Sequence, residues 1–329
     1  MPETILVTGG CGYLGSQLVR DLGTGPGAED RVVRILDNMS SGNSAYQALM
    51  AMPDTGTYEV VEGDILDPAV VSTALSGVDT VMHLAAIANT PMGYQNPTWV
   101  EQVNAWGTAR LVEECIAEGV SHLIYTSSVA VYGPRETNAY PDETAPCRPV
   151  GPYAHSKHSA EHSVREAHGR NGLHTTTLRL GIVYGHAPTV RFDAVANRFA
   201  YLAGVQHPLT VHGTGAQQRA FIHVRDASRA IQQVDAKARA ENEQPDASSQ
   251  VLNLVAENAS VNDLVDAVRT VQPNVSVRHT EQDVQTHFDL VAQGTRARTV
   301  LDWTPRHTLA DGMEELIGRL NAFQARSML

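Results

Sequence analysis

Short apolar runs alternate with longer amphipathic segments along the first 180 residues of the chain. The runs are rich in Val, Ile and Leu and lack polar alternation, which is typical of parallel strands buried on both faces. They predict strands at residues 4–8, 31–37, 58–62, 80–84, 122–127 and 176–180. Helices are predicted between them, at residues 13–22, 68–75, 97–118 and 153–168, because parallel strands need crossover connections. The pattern indicates an α/β fold with a doubly wound parallel sheet.

Beyond residue 180 the spacing of apolar positions becomes irregular. It predicts a helix at 191–203, a strand at 220–224, a helix from residue 226 and a strand at 251–255. The polar run 240–250 contains Pro245 and is interpreted as a surface loop. We therefore expect two domains: residues 1–180 form the sheet domain, and residues 181–329 mainly form a smaller C-terminal α/β lobe, with some segments returning to the first domain.

The composition argues against several classes of function. Charged residues are 18% and hydrophobic residues 42% of the chain, unlike a disordered protein or a coiled coil. A formal net charge of −12 would repel a phosphate backbone, so nucleic acid is not an expected partner. No apolar stretch approaches the ~20 residues that span a bilayer, and the first residues lack an apolar signal core. We expect a cytoplasmic protein without membrane contact.

A glycine-rich turn follows the first predicted strand and opens the first predicted helix. Residues 8–15 read TGGCGYLG, with glycines at Gly9, Gly12 and Gly15. Glycines at this spacing permit a tight turn, the approach of backbone to a pyrophosphate and close packing of helix on strand. The helix N-terminus then offers N–H groups to the anion. The segment, including Tyr13 and Leu14, predicts a dinucleotide site of the Rossmann type.

Acidic residues follow the next two predicted strands. Asp37, next to Asn38, ends the second strand, where a carboxylate typically accepts hydrogen bonds from the adenosine ribose hydroxyls. A 2′-phosphate would be repelled there, so Asp37 favours NAD over NADP. Asp64 and Ile65 follow the third strand, and Asp64 is predicted either to contact the adenine amino group or to cap the next helix.

These motifs, together with HLAA at residues 83–86 and VLDWTP at residues 300–305, make the chain similar to the extended short-chain dehydrogenase/reductase family, especially to nucleotide-sugar 4-epimerases. The resemblance covers nearly the whole chain. It implies NAD as cofactor, a nucleotide-sugar substrate and a homodimer formed through the helices at 97–118 and 153–168. It also implies cofactor contacts at Leu84, Ala85, Ala86 and Asn104.

A tyrosine and a lysine stand four residues apart, at Tyr153 and Lys157, and hence on one face of a predicted helix. A phenol with an ordinary pKa near ~10 is a weak base at neutral pH, but an adjacent cation favours the phenolate. We therefore expect Lys157 to lower the pKa of Tyr153. Ser128 matches the family's catalytic hydroxyl by its register in the motif.

The resemblance implies a mechanism for these three residues. Tyr153 would remove a proton from a sugar hydroxyl while hydride leaves the same carbon for NAD, and hydride would return from the other face. Lys157 would also hold the nicotinamide ribose, and Ser128 would hydrogen-bond the reacting oxygen. Sugar 4,6-dehydratases of this group carry an acid pair directly after that hydroxyl, whereas this chain has Val129 and Ala130, so dehydration is not expected.

The substrate side departs from the family's usual pattern. Arg219 lies in a segment resembling the one whose arginine grips the substrate diphosphate, and a guanidinium fork matches phosphate oxygens. However, Ile182 replaces the usual substrate-binding Asn, and Arg278 is only a loose counterpart of the second phosphate-binding arginine. These differences suggest a substrate other than the common UDP-sugars, or one held by Arg191 and Asn197 on the following predicted helix.

Two other functions stay open at this point. One is an NAD(P)-dependent reductase or dehydrogenase of a non-nucleotide alcohol or carbonyl; the other is a dinucleotide-sensing regulator, which would not need the catalytic residues. A metal site is not expected, because His158 and His162 have helical spacing but no accompanying ligand set. His83 and His223 end apolar strands and are predicted to be buried structural histidines.

Overall fold

The computed structural model describes residues 2–88, 90–135, 138–240, 249–281 and 288–327. The strands within these residues are β1 (Glu3–Thr8), β2 (Arg31–Asp37), β3 (Thr57–Glu62), β4 (Thr80–His83), β5 (His122–Ser128), β6 (His174–Leu180), β7 (Ile182–Tyr184), β8 (Leu209–His212), β9 (Gln218–His223), β10 (Gln250–Leu254), β11 (Glu257–Ser260) and β12 (Val277–Thr280). Seven of them form one parallel sheet in the order β10-β6-β5-β4-β1-β2-β3. From β1 the chain first adds strands on one side (β2, β3) and then on the other (β4, β5, β6). This change of side, between β1 and β4, is the position at which doubly wound sheets bind ligands.

The helices cover both faces of this sheet and complete the smaller lobe. They are α1 (Tyr13–Leu22), α2 (Asn43–Met50), α3 (Pro68–Leu75), α4 (Thr90–Gln95), α5 (Pro97–Glu101), α6 (Thr108–Glu118), α7 (Pro152–Ala167), α8 (Val195–Gly204), α9 (Val224–Ala240), α10 (Val261–Val271), α11 (Thr295–Leu301) and α12 (Leu309–Ser327). The α/β fold predicted from the sequence is confirmed. The helix predicted at 97–118 is divided, because a π-helical turn, Gln102–Gly107, joins α5 to α6.

Alternate side chains of the parallel strands enter two separate apolar layers, as the period of two requires. Ile5 and Val33 pack with Leu18 of α1 and Ile231 of α9 on one face. On the other face Leu6, Leu36, Val81 and Leu123 pack with residues of α3, α6 and α7. Burial on both faces explains why these strands read as continuous apolar runs.

The smaller lobe is built on a three-stranded sheet, β11-β9-β7, and the parallel pair β12-β8. Its own apolar cluster includes Tyr184, Phe199, Phe221, Leu264 and Met313. Strand β9 runs directly into α9, which packs on α1 of the large domain. Strand β9 and helix α9 therefore connect the lobe to α1, the helix that begins at the glycine-rich turn.

The elements predicted from the sequence beyond residue 180 agree less well with the structure. The helix predicted at 191–203 begins only at Val195, so Arg191 lies in the preceding loop. The strand predicted at 220–224 corresponds to β9, which begins two residues earlier, at Gln218, and ends one residue earlier, at His223. Most of the predicted loop at 240–250 lies outside the described residues. None of the described helices is long and apolar enough to cross a membrane.

Candidate active site

The glycine-rich turn lies against the segment that follows β4. Gly9 has a positive φ of 70°, and a Cβ built on it would stand 2.8 Å from the Cα of Ala85. A Cβ on Gly15 would stand 2.1 Å from the carbonyl oxygen of Gly9. The N–H of Leu84 donates to the carbonyl of Thr8 at 3.1 Å. These contacts leave no space for side chains, which explains why glycines occupy the turn.

The N-terminus of α1 is available to an anion. Its N-cap residue is Gly12, which has no side chain to accept hydrogen bonds from the first-turn N–H groups of Tyr13 and Leu14. The hydroxyl of Tyr13 is directed elsewhere and donates to the Gly185 carbonyl at 2.5 Å. A cradle of glycine backbone at an uncapped helix start fits the pyrophosphate of a dinucleotide.

Asp37 lies beside this turn, at the end of β2. Its carboxylate accepts the N–H of Cys11 at 3.0 Å and the N–H of Met39 at 2.9 Å. Burial raises the pKa of Asp37, and the two N–H donors oppose that rise. Each carboxylate oxygen accepts one bond and keeps a second lone pair, so Asp37 can still accept from ribose hydroxyls. The residues present therefore fit NAD.

Asn38 and Asp64 meet at the same edge of the sheet. The Asn38 amide donates to the Asp64 carboxylate at 2.9 Å, and the other Asp64 oxygen accepts the N–H of Leu66 at 2.9 Å. The carboxylate that caps α3 is Asp67, so Asp64 does not cap that helix, and its contact with the adenine amino group stays a prediction. Ile65 is buried in the core, so its side chain is not a surface contact.

Asn104 lies in the π-helical turn and is fully buried. Its side chain accepts the N–H of Ile87 at 2.8 Å and donates to the Ile87 carbonyl at 3.0 Å and to Ser156 at 3.1 Å. It thus fastens the segment that contains Ala85 and Ala86 to α7. Both N–H groups of the Asn104 amide are used in these bonds, whereas its oxygen keeps one lone pair, and its contact with a cofactor stays a prediction.

Tyr153 and Ser128 are brought together by α7 and the end of β5. Their side chains are hydrogen-bonded, and Ser128 also accepts the N–H of Ala130 at 3.2 Å. Burial raises the pKa of Tyr153, while the Arg191 guanidinium and the Ser128 hydrogen bond lower it in opposition. The expectation that Lys157 lowers this pKa is wrong, because burial prevails and the cation that acts on Tyr153 is Arg191.

Lys157 is turned toward β5. It is 4% exposed, and its ammonium donates to the carbonyl of Thr126 at 2.8 Å and lies 4.9 Å from the centre of the Tyr125 ring. Burial lowers the pKa of Lys157 to about 7, and Glu161 raises it in opposition. Below about pH 7 the fold therefore bears the cost of a buried charge.

Replacing Lys157 with Met is expected to stabilise the fold. Below about pH 7 the lysine is protonated in both the folded and the unfolded chain, so the wild type bears the full burial cost. We expect the free energy of unfolding of Lys157→Met to exceed that of the wild type by about 2–4 kcal/mol at pH 6. Since the folded lysine loses its proton first, the difference shrinks from pH 7 upward and falls to roughly half by pH 9. Urea unfolding at both pH values measures it.

Lys237 provides the matched control, since it is the second of the two lysines in the sequence. It is partly exposed and donates to the Val300 carbonyl at 2.8 Å. Lys237→Met should give no gain in stability that depends on pH between 6 and 9. A Lys157→Met protein no more stable than the wild type at pH 6 would contradict the buried charge.

The predicted substrate residues lie in two places. The guanidinium of Arg191 donates to the carbonyl of Ala88 at 2.9 Å and pairs with Asp193 at 2.5 Å, close enough to Tyr153 to act on its pKa. Asn197 is fully buried; its amide donates to the carbonyl of Arg191 and its oxygen accepts the N–H of Gly185, both at 3.0 Å. Asn197 therefore shapes the loop that carries Arg191, and its contact with substrate stays a prediction.

Arg219 lies in β9 and is 7% exposed. It donates to the carbonyls of Gln218 and Phe288, both at 2.8 Å. Burial lowers its pKa, and Asp289 opposes this. Ile182 begins β7 beside Phe221, and Arg278 is exposed on β12. Of the arginines predicted for the diphosphate, Arg219 is held in the core of the lobe and Arg278 at its surface.

A buried ion pair behind the predicted catalytic residues carries no clear signal in the sequence. Glu161 of α7 accepts from Arg179 of β6 at 2.9 and 2.7 Å and from the Ser127 hydroxyl at 2.5 Å. Arg179 also donates to the hydroxyl of Tyr132 at 2.9 Å. The available signal was the acid four residues after Lys157, on the same helix face.

The histidines behave as expected for buried structural groups where they end strands. His83 contacts the hydroxyls of Thr8 at 2.7 Å and Thr108 at 2.8 Å, and burial lowers its pKa to about 3. His223 is fully buried and stacks on His307. In the described part of the chain no three His, Cys, Asp or Glu side chains are grouped to hold a metal ion.

Comparisons with known proteins agree with this geometry. A family model described as the NAD dependent epimerase/dehydratase family matches residues 5–254. A dTDP-glucose 4,6-dehydratase of Streptomyces niveus is 30% identical over 95% of this chain and 91% of the relative. A UDP-glucose 4-epimerase of Azospirillum brasilense is 29% identical over 94% of this chain and 89% of the relative. The solved structure of MoeE5 in complex with UDP-glucuronic acid and NAD is 27% identical, with a TM-score of 0.82 over 98% of this chain and 99% of that one.

Proposed function

We propose, since this chain belongs to the NAD-dependent epimerase/dehydratase family, that it is an epimerase that inverts a carbon of a nucleotide sugar through a transient ketone. The observation that carries the proposal is the interacting pair Tyr153 and Ser128, both partly buried, at the carboxyl end of β5, on the same edge of the parallel sheet as the glycine-rich turn after β1. Proton removal from an alcohol and hydride transfer from the same carbon need a base and a dinucleotide in one cleft.

Each catalytic residue has one task in this proposal. Tyr153 takes the proton of the sugar hydroxyl and returns it after inversion, while Ser128 hydrogen-bonds the reacting oxygen as its charge changes. Lys157 holds a positive charge beneath the site and is a contact for the nicotinamide ribose. NAD, when bound, supplies reversible acceptance of hydride. Gly9, Gly12 and Gly15 with Asp37 hold its pyrophosphate and adenosine.

The residues after Ser128 favour epimerisation over dehydration. Expulsion of a hydroxyl as water needs an acid that protonates it. Val129 stands directly after Ser128 and packs in an apolar cluster with Tyr132, Ala220 and Ala292. Ala130, the next residue, has no titratable group. Neither position supplies the acid, although dTDP-glucose 4,6-dehydratases are among the similar proteins.

The substrate is proposed to be a nucleotide sugar, with Arg219 as a contact of its diphosphate. Relatives and structures of similar proteins are described with UDP-glucose and UDP-glucuronic acid, which are the first probes to use. Arg191, close to Tyr153, is proposed to contact the sugar end of the same molecule.

Replacing Arg219 with Leu is expected to weaken binding of the nucleotide sugar at least about tenfold, since a charged hydrogen bond to phosphate is lost. Affinity for NAD should stay unchanged, because Arg219 lies in the smaller lobe. Calorimetric titration with each ligand measures both constants. Arg269→Leu, at an exposed arginine of α10, serves as the control; equal affinities for the sugar nucleotide in both variants would refute this placement of the diphosphate.

A homodimer is proposed for the functional protein. Trp99 and Trp106 lie on α5 and the π-helical turn and are 40% and 51% exposed. Large exposed aromatic side chains on neighbouring turns are typical of an interaction surface. Light scattering on the purified protein measures its mass in solution.

A further inference from the structure

A second buried charged residue, Glu161, lies on the face of α7 that carries Lys157. Lys157 and Glu161 are four residues apart and are 4% and 7% exposed. Residues at this spacing are neighbours on a helix. Burial of both groups makes their interaction stronger than that of an exposed pair on a helix surface.

Glu161 cannot turn away from this position. Its carboxylate accepts two bonds from Arg179, at 2.9 and 2.7 Å, and one from Ser127 at 2.5 Å. Arg179 is in turn held by the hydroxyl of Tyr132 at 2.9 Å, and that hydroxyl donates to Asn253 at 2.8 Å. Bonds from β5 and β6 therefore fix the carboxylate on α7.

The other groups around Lys157 carry no negative charge. They are the carbonyl of Thr126 at 2.8 Å, the ring of Tyr125 at 4.9 Å, and His83, which is neutral because burial and Lys157 lower its pKa. Among the described residues, Glu161 is the acid whose charge acts on the lysine. The lysine is thus surrounded by dipoles and an aromatic face, with one carboxylate behind it.

We propose that Glu161 is a positioning residue that keeps Lys157 in its ammonium form beneath the catalytic tyrosine. A buried amine in apolar surroundings tends to lose its proton. The fixed carboxylate offsets that tendency, so that about half of the molecules still carry the positive charge assigned to Lys157 in the proposed function at pH 7, and nearly all carry it below about pH 6. The alternative role for Glu161 is purely structural, as a tie between α7, β5 and β6.

The two roles are separated by titrating Lys157 directly. Because the sequence has two lysines, protein labelled with ¹³C at the lysine ε-carbon gives two signals, and Lys237→Arg assigns them. In Glu161→Gln we expect the titration midpoint of Lys157 to fall by about one pH unit or more, a tenfold weaker proton affinity. Glu166→Gln removes an exposed acid from the same helix and should leave the midpoint unchanged.

A second variant keeps the test decisive if Glu161→Gln, which leaves Arg179 without its partner, does not fold. Glu161→Met with Arg179→Met removes the whole pair, and apolar replacement of a buried ion pair is often tolerated. The midpoint should fall in this variant too, although its net charge equals that of the wild type. An unchanged or raised midpoint would overturn the proposal and leave Glu161 as a structural tie.

The kinetic consequence rests on the proposed function, whereas the titration does not. If the protein turns over a nucleotide sugar, the loss of activity at high pH should begin at lower pH in Glu161→Gln, in step with the lysine midpoint. A wild-type protein without turnover would refute the epimerase proposal only. A high-pH limb that stays in place while the midpoint moves would overturn the catalytic importance of Glu161.

Discussion

Replacing Tyr153 with Phe is expected to lower kcat by about 10²–10⁴-fold, the usual contribution of a general acid–base group. The substitution removes only the oxygen that is hydrogen-bonded to Ser128 and leaves the ring in place. The glycine-rich turn and Asp37 are untouched, so affinity for NAD should remain within about twofold of the wild type, less than ~0.5 kcal/mol. Product formation from a reactive sugar nucleotide and calorimetric titration with NAD measure the two quantities.

Tyr201→Phe is the matched control, because Tyr201 is 41% exposed on α8. It should retain wild-type turnover. The assignment of Tyr153 as the base fails if Tyr153→Phe keeps more than about a tenth of the wild-type kcat, since that loss is below what general catalysis contributes.

Replacing Gly15 with Ala is expected to weaken NAD binding by about a hundredfold or more, some 2.7 kcal/mol. The added Cβ would stand 2.1 Å from the carbonyl oxygen of Gly9 and 2.8 Å from the Cα of Gly10. Both are backbone atoms of the turn, so the turn itself must move. Its N–H groups are then no longer oriented to donate hydrogen bonds to the pyrophosphate. We also expect a lower Tm, because α1 packs less closely on β1.

Gly318→Ala controls for the added methyl group. Gly318 lies on the exposed face of α12, and a Cβ there has no neighbour within 4 Å. Alanine should stabilise this helix by about 0.5–1 kcal/mol and leave NAD binding unchanged. If Gly15→Ala binds NAD as the wild type does, the cradle described for the pyrophosphate is wrong.

Much of the large domain could be predicted from the sequence, since its elements each carry a complete local signal. The helices α1 and α3 and the strand β2 begin and end where predicted. Each has a local start or stop signal in the sequence: glycine before α1, Asp67 and Pro68 at the start of α3, and Asp37 at the end of β2. Tertiary contacts reinforced these signals and did not override them.

The smaller lobe was predicted less well, because its segments gain their structure from partners far along the chain. Strand β7 has three residues and pairs with β9, and β12 pairs with β8 some 70 residues away. The loop before α8 is held by Asn197 and by Arg191, which contacts Ala88. The local sequence pattern does not show these contacts, which is why the helix was predicted to begin at residue 191 and not at Val195.

The electrostatics of the site depend on burial, which spacing alone does not reveal. The four-residue spacing correctly placed Tyr153 and Lys157 on one helix. It did not reveal that Lys157 turns to the carbonyl of Thr126, or that burial raises the pKa of Tyr153. The Glu161–Arg179 pair forms only when α7 packs on β6, so its chemistry emerges from the fold.

The epimerase proposal is tested most directly by the fate of hydrogen at the reacting carbon. The purified protein is incubated in D₂O with UDP-glucose, UDP-glucuronic acid or dTDP-glucose, followed by NMR and by absorbance of the reduced nicotinamide. The proposed mechanism predicts an epimer of a supplied sugar, with no solvent deuterium at the inverted carbon and no net reduction of NAD. A 4-keto-6-deoxy sugar, or reduced cofactor formed in proportion to product, would contradict it.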